Sequence, residues 1–403
     1  MSARTAPPRS VPVDLGHQTL VADLQATGAE VRFDRGSRAL YATDASNYRQ
    51  VPIGVVVPHT VDELVASVAV CSRHDVPVLA RGGGTSLAGQ CCNRAVVLDA
   101  SEHLRAVNSI DVAGRTASVE PGCVLDDLRG AAEEHDLTFG PDPSTHNRCT
   151  VGGMAGNDSC GIHAQMAGRM AENVEELEVL TYDGLRLRVG PTSDDELERI
   201  ITAGGRRGQI YSDLRDLRDD YADMIRERFP KIPRRVSGFC LEQLLPENGF
   251  NVARALVGSE GTCVTILDIG CRLVPARPQR TLVLLGYQDV YTAADHLSEV
   301  LAHEPIALEA FDDMLIEHVE RIGTAPAGTP ELPDGHGWLM VQFGADTREA
   351  ADRQARGLAD ALRDLDDAPS IKVFDDPDEE QKLWKIREAG LGVTAHVPGE
   401  PDR

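Results

Sequence analysis

Three things that the sequence lacks narrow its reading early. No C-x-x-C pair occurs among the nine cysteines (Cys71, Cys91, Cys92, Cys123, Cys149, Cys160, Cys240, Cys263 and Cys271). The closely spaced runs that iron–sulfur ligation needs are therefore missing, and an odd count in a large chain points to reduced thiols in a cytoplasmic compartment. No apolar run approaches the ~18 residues of a transmembrane helix. The opening stretch, MSARTAPPRSVPVDL, also lacks the apolar centre of a signal peptide, so residues 1–20 read as a disordered lead-in. Finally there is no basic surplus: 40 Lys and Arg face 64 Asp and Glu, for a formal net charge of −24. That balance excludes a nucleic-acid binder, which needs cations against phosphates. A small anionic substrate stays open, provided that local Arg, Lys or backbone N–H groups meet it.

What remains is ordinary globular material, 42% apolar and 26% charged over 403 residues, enough for two domains. Residues 54–58 (GVVVP) read as a buried strand. Thr60 caps a helix with Leu64, Val65, Val68 and Ala69 at helical spacing, and residues 76–80 (VPVLA) form a second strand. This βαβ unit ends in a glycine loop at the carboxyl end of its second strand, where open α/β sheets bind ligands. Strands are expected at 95–99 and 116–119, a helix near 125–134, a hairpin at 177–182 and 186–189 turned by Asp183-Gly184, and a polar helical stretch over 193–228. After Pro275 strands and helices alternate: strands at 281–286, 306–311, 338–343 and 370–374, helices at 291–302, 347–365 and 378–390, and a Gly/Pro-rich loop at 323–337. The pattern is α+β, with a split-βαβ sheet as a second domain.

Two loops carry the chemistry. Residues 81–90 read RGGGTSLAGQ. A phosphate-transferring P-loop needs Lys and Ser or Thr after its last glycine, but Gly89 precedes Gln90. A dinucleotide fingerprint needs a helix next, but a strand follows. Successive glycine N–H groups with Thr85 and Ser86 still make a concave, lysine-free anion cradle, suited to a diphosphate that is held rather than transferred. A tight turn without a ligand is the alternative. A second glycine region, PDPSTHNRCTVGGMAGNDSCG from Pro141 to Gly161, repeats the chemistry with Gly152, Gly153, Asn157, Asp158 and Ser159. Two such loops in one domain favour a long ligand, such as a dinucleotide.

The residues resemble the FAD-linked oxidases and dehydrogenases of the vanillyl-alcohol oxidase and p-cresol methylhydroxylase superfamily, in particular its D-lactate, glycolate and D-2-hydroxyglutarate dehydrogenases. The resemblance rests on residues 58–90, 141–174, 237–245 (SGFCLEQLL), 258–262 (GSEGT) and 383–390 (LWKIREAG). It implies a PCMH-type FAD-binding domain of two α/β subdomains over 21–275, followed over 276–403 by a ferredoxin-like substrate cap that looks incomplete. It also implies that Arg81 and residues Gly82, Gly83, Gly84, Thr85 and Ser86 wrap the FAD diphosphate. Pro141, Asp142, Ser144, Gly152, Gly153, Asn157 and Gly161 would line the flavin, and Glu260 and Gly261 would border it. The first loop has no His for covalent attachment, so FAD is expected to be held non-covalently.

By the same resemblance Arg387 grips the carboxylate of a 2-hydroxy acid, since a planar guanidinium pairs two-pronged with a carboxylate. A surface pair with Glu380 or Glu388 is the other reading of that arginine. His163 is the candidate for the hydroxyl proton, with His146 behind it. The family's later His-x-His and Glu-His motifs, which bind a metal and supply the base, are not found before Arg403, so no metal ligands are assigned. The expectation is a chain lacking the family's C-terminal part, either shortened or completed by a separate chain, for instance one with an iron–sulfur domain. The implied activity is oxidation of a 2-hydroxy acid, with electrons passed to an unidentified acceptor. A non-catalytic flavin subunit and a non-redox, alkylglycerone-phosphate-synthase-like enzyme are the alternatives.

Overall fold

The computed structural model describes residues 17–324, 326–328, 330–395, 397 and 399. The expected lead-in falls outside them over 1–16, and its last residues already enter the helix Gln18–Gln25. The chain divides into two compact units. The first comprises residues 17–139, Thr145–Cys160 and Arg169–Val274; the second runs from Pro275 and includes two earlier segments, Gly140–Ser144 and Gly161–Gly168.

The first unit holds two large sheets, besides a short pairing of Leu137–Thr138 with Val274–Pro275. In the smaller, Gly54–Val57, Val96–Asp99 and Val78–Arg81 lie parallel in that order, with Glu30–Arg32 antiparallel at the edge. GVVV and VVLD are buried at every position, which is why they read as continuous apolar runs. The helix Val61–Arg73 crosses between strands as expected. Thr60 accepts from the Glu63 N–H at 3.2 Å, and Leu64, Val68 and Cys71 face the core. The larger sheet is antiparallel throughout, in the order Val107–Asp111, Thr116–Val119, Thr265–Arg272, Val174–Leu180, Arg186–Val189. Its central strand TILDIGCR alternates buried and half-buried positions, placing Ile269 and Cys271 in the core with Val119, Leu128 and Leu177.

In the second unit four antiparallel strands take the order Ala307–Asp312, Gly337–Ala345, Gln279–Tyr287, Ser370–Phe374. This is the split-βαβ order, with a further helix, Asp313–Ile322, between the second and third strands in sequence. Alternate residues of the central strands serve opposite faces. Leu282, Leu284 and Met340 meet Leu315, Val319, Leu383 and Ile386, whereas Val283, Leu285 and Val341 meet Ala355, Leu358 and Leu362. All four strands are paired, and both faces of the sheet are covered.

Candidate functional site

The strand Val78–Arg81 delivers its last side chain to the base of the first glycine loop. Arg81 donates to the carbonyls of Thr43 (2.8 Å), Cys91 (2.9 Å) and Tyr41 (3.3 Å), and lies over the Tyr41 ring. Its guanidinium is therefore spent on stapling the loop ends. Tyr41 donates in turn to the buried Asp99 at 2.5 Å. The bareness of the loop has a cause inside the protein. A Cβ on Gly82 would stand 2.0 Å from Thr150 Oγ1, and one on Gly83 would stand 2.1 Å from the Arg148 carbonyl oxygen. Glycine lets the two glycine regions touch. Meanwhile the N–H groups of Gly83, Gly84, Thr85 and Ser86 donate to no group among the described residues. Open donors in a tight loop are what an anion needs.

Thr150 caps the helix Val151–Asn157 by accepting from the Gly153 N–H, which sets Gly152 against Pro121. At the far end of that helix the N–H groups of Gly258 and Glu260 donate to Ala155 O and Gly156 O, both at 2.9 Å. The Glu260 carboxylate then accepts from Asn157 Nδ2 (2.9 Å) and from Gln90 Nε2 (3.3 Å) on one oxygen. Burial pushes the Glu260 pKa up, against the two hydrogen bonds that lower it. Arg81, Gly82, Ser86, Gln90, Gly152, Gly153 and Glu260 line one hollow, with a cavity of about 90 Å³. Gly261 completes the turn at φ +67°.

Behind it lies a charged cluster that sequence reasoning missed. Asp158, fully buried with φ +59°, accepts from the Ala171 N–H at 2.9 Å and from Arg169. Arg169 also reaches Glu242 (3.0 Å), Arg235 O (2.6 Å) and the thiol of Cys240. The cluster ties the end of the glycine helix to residues 235–242. No local pattern announces pairs so far apart in sequence.

The other expected site residues belong to the second unit: Pro141, Asp142, Ser144, Gly161, His163 and Arg387. The expected cofactor set thus divides between the two units. His163 and Asp142 are both buried, with Nδ1 and Oδ2 2.5 Å apart. Gly161 is needed for this, because a Cβ there would stand 2.2 Å from Asp142 O. The short helix that follows His163, Ala164–Ala167, packs against the strand Ala307–Asp312. That strand also carries Glu309, whose Oε2 accepts from Arg387 Nε at 2.7 Å and lies 2.6 Å from Nη2 in the same ion pair. Arg387 therefore pairs with neither Glu380 nor Glu388. Its pair borders an open hollow of about 400 Å³ lined by Val290, Ala310, Phe311, Asp312, Leu315 and Gly390. His146, by contrast, forms a half-exposed pair with Asp126 at 2.8 Å in the first unit. The acidic run at 375–380 opens the helix Pro377–Ala395, and its Glu380 is buried against Gln342.

A lysine-free hollow with open N–H donors, made from two glycine loops, has the chemistry that suits a protein with a diphosphate-bearing cofactor. Comparison with known proteins gives that class its content. Residues 52–190 match the FAD binding domain and residues 277–401 the C-terminal domain of FAD linked oxidases. The chain belongs to the FAD-linked oxidases, and its cofactor is FAD. The match over 277–401 falls on the cap expected over 276–403 and shows the C-terminal domain to be present, so the expectation that the chain lacks the family's C-terminal part is not supported.

The chain is 32% identical to the D-2-hydroxyglutarate dehydrogenase of Pseudomonas putida over 390 residues, covering 92% of this chain and 38% of that protein. It is 26% identical to the glycolate oxidase subunit GlcD of Bacillus subtilis, covering 93% and 69%. To the D-lactate dehydrogenase of Archaeoglobus fulgidus it is also 26% identical, covering 75% and 57%. It spans about two fifths of the length of the D-2-hydroxyglutarate dehydrogenases it matches. Among solved structures, an alkyldihydroxyacetonephosphate synthase superposes with a TM-score of 0.64 at 15% identity, covering 97% of this chain and 66% of that one, a likeness of fold. No helix among the described residues is long and apolar enough to cross a membrane.

Proposed function

We propose that this chain oxidises a 2-hydroxy acid of the D-lactate, glycolate or D-2-hydroxyglutarate kind to the 2-oxo acid. The observation that carries the reading is that relatives with three different names, matched over most of this chain, are all named for 2-hydroxy acids. FAD, held non-covalently, supplies the acceptor for the α-hydrogen and its electron pair.

The chain's own residues have three tasks. Residues 82–86 hold the diphosphate on open N–H groups, with Gly152, Gly153, Asn157, Glu260 and Gly261 shaping the rest of that cradle. Arg387 orients the substrate carboxylate. Glu309 occupies Nε and one side of Nη2, so the Nη1 edge is the one that faces substrate. His163 takes the hydroxyl proton, so that the C–H and O–H bonds lost are balanced by the second C–O bond formed.

The test is a turnover assay with a dye as electron acceptor and the three acids as substrates, measuring 2-oxo acid formed per dye reduced. Equal amounts support the reading; dye reduction without 2-oxo acid contradicts it. A second reading, a flavin subunit completed by a partner chain in a cytoplasmic complex, is favoured by the relative named as a subunit. Turnover that appears only on adding a partner would select it.

A further inference from the structure

Two glycines, Gly390 and Gly392, stand inside the helix Pro377–Ala395, where each weakens the helix relative to alanine. Around Gly392 there is open space: nothing lies within 4 Å of an added Cβ. Gly390 is different. A Cβ there would stand 3.0 and 3.5 Å from Leu315 Cδ1 and Cδ2, and 3.8 Å from Arg387 Nη1. Arg387 lies three residues earlier, so the two share one face of the helix. Both line the hollow of about 400 Å³, with Val290, Ala310, Phe311 and Leu315 as its apolar wall.

The guanidinium is held from one side. Glu309 Oε2 accepts from Nε at 2.7 Å and pairs with Nη2 2.6 Å away. The Glu309 side chain is only 11% exposed, so that side of the pair is shielded from water. Nη1, by contrast, donates to no group among the described residues. In a rigid planar fork, the two N–H bonds of Nη1 point away from the Nε edge that Glu309 holds.

We infer that Gly390 is a specificity-determining residue: its missing side chain keeps Arg387 Nη1, positioned through Glu309, open to the substrate carboxylate. The inference rests on the oxidase reading proposed above, in which Arg387 takes that carboxylate. It gives the neighbours separate tasks: Glu309 fixes the plane of the guanidinium, and Gly390 clears the approach to it. Gly390, Arg387, Glu309 and Leu315 all belong to the second unit.

The test compares Gly390→Ala with Gly392→Ala in full-length, flavin-loaded protein. The readouts are calorimetric Kd values for pyruvate, glyoxylate and 2-oxoglutarate, KM and kcat with the 2-hydroxy acid that the wild type oxidises, and Tm. A methyl group at Gly390 takes space beside Nη1 and makes Leu315 give way. Loss of one charge-assisted hydrogen bond should raise Kd and KM about 10–100-fold, with kcat changed less. Gly392→Ala adds the same methyl to the same helix in open space, so it should raise Tm and leave Kd, KM and kcat unchanged. In Leu315→Val/Gly390→Ala the crowded Cδ atoms are gone while the methyl beside Nη1 stays, so binding should remain weak.

Wild-type Kd and KM in Gly390→Ala would overturn the inference, as would an equal loss in Gly392→Ala. Binding restored by Leu315→Val would trace the effect to packing and overturn the part given to Nη1. Should Gly390→Ala fail to fold, the relieved double variant decides in its place. A wild type that binds the 2-oxo acids but oxidises none of the three hydroxy acids would sink the oxidase reading, and the Kd comparison would still decide the task of Gly390. A wild type that binds none of the 2-oxo acids would overturn the carboxylate grip of Arg387 and the inference with it.

Discussion

Adding one methyl group at Gly83 tests whether the two glycine regions form a single cradle. The new Cβ would lie 2.1 Å from the Arg148 carbonyl oxygen and 3.2 Å from its carbon. Ordinary C···O contacts begin near ~3.3 Å, so one loop must retreat by about 1 Å. The carbonyl cannot rotate aside, because its turn is held by the N–H groups of Arg148 and Cys149 on Thr145 O at 2.9 and 2.8 Å. Two residues on, Thr150 caps the glycine helix, so the retreat reaches Gly152 and Gly153. Overpacking of this kind costs about 1–3 kcal/mol, which corresponds to a fall in Tm of roughly 2–12 °C. Gly357→Ala is the matched control. It is exposed within the helix Arg348–Arg363, with nothing within 4 Å of the new Cβ, and should gain about 0.5–1 kcal/mol. Thermal unfolding and the flavin-to-protein absorbance ratio after gel filtration are the readouts. Gly83→Ala with an unchanged Tm and full flavin content would refute the joined cradle.

Other perturbations reach other parts of the account. Arg169→Met leaves the fully buried Asp158 without its cation and should cost about 3–5 kcal/mol in urea unfolding. Arg387→Lys exchanges a planar fork for a point charge; loss of one charged hydrogen bond to the substrate carboxylate, about 1.5–3 kcal/mol, should lower kcat/KM roughly 10–100-fold, chiefly through KM. Glu380 is buried against Gln342, and burial raises its pKa above the ordinary 4.5 despite the Gln342 hydrogen bond. The folded state then holds the proton more tightly than the unfolded chain. This contribution is full below 4.5 and is lost as pH rises through the folded value, at about 1.4 kcal/mol for each pH unit that separates the folded from the unfolded pKa. Glu380→Gln cannot ionise, so its stability relative to wild type should climb from mildly acid to neutral pH; a constant difference would contradict the assignment.

Local pattern carried much of the fold. The first βαβ unit, the Asp183-Gly184 hairpin and the four strands after Pro275 all stand near their expected positions, because apolar period, caps and turn residues are short-range signals. The offsets have local causes too. The strand expected at 76–80 is Val78–Arg81, beginning after Pro77, which has no N–H to give a ladder. The polar stretch at 193–228 is two helices, Asp194–Ala203 and Gly205–Arg228, broken where Gly204 and Gly205 take φ of +69° and +67°. What was not legible is pairing at a distance. Gln90 meets Glu260 170 residues on, Arg387 meets Glu309 78 residues back, and Arg169 meets Glu242 73 residues on. Each is a polar residue whose partner only the fold selects. The glycines show the same limit: they promised close approach, yet at Gly82 and Gly83 what approaches is protein, with the open N–H groups left for a ligand.

The measurement that bears most directly on the whole account is an anaerobic absorbance spectrum of the purified protein, before and after D-lactate, glycolate and D-2-hydroxyglutarate are added in turn. The account predicts oxidised flavin bands that bleach with at least one of the three acids and return on admission of an electron acceptor. Flavin bands unmoved by all three would contradict the proposed 2-hydroxy-acid oxidation. A colourless protein that takes up no added FAD would contradict the cradle beneath it.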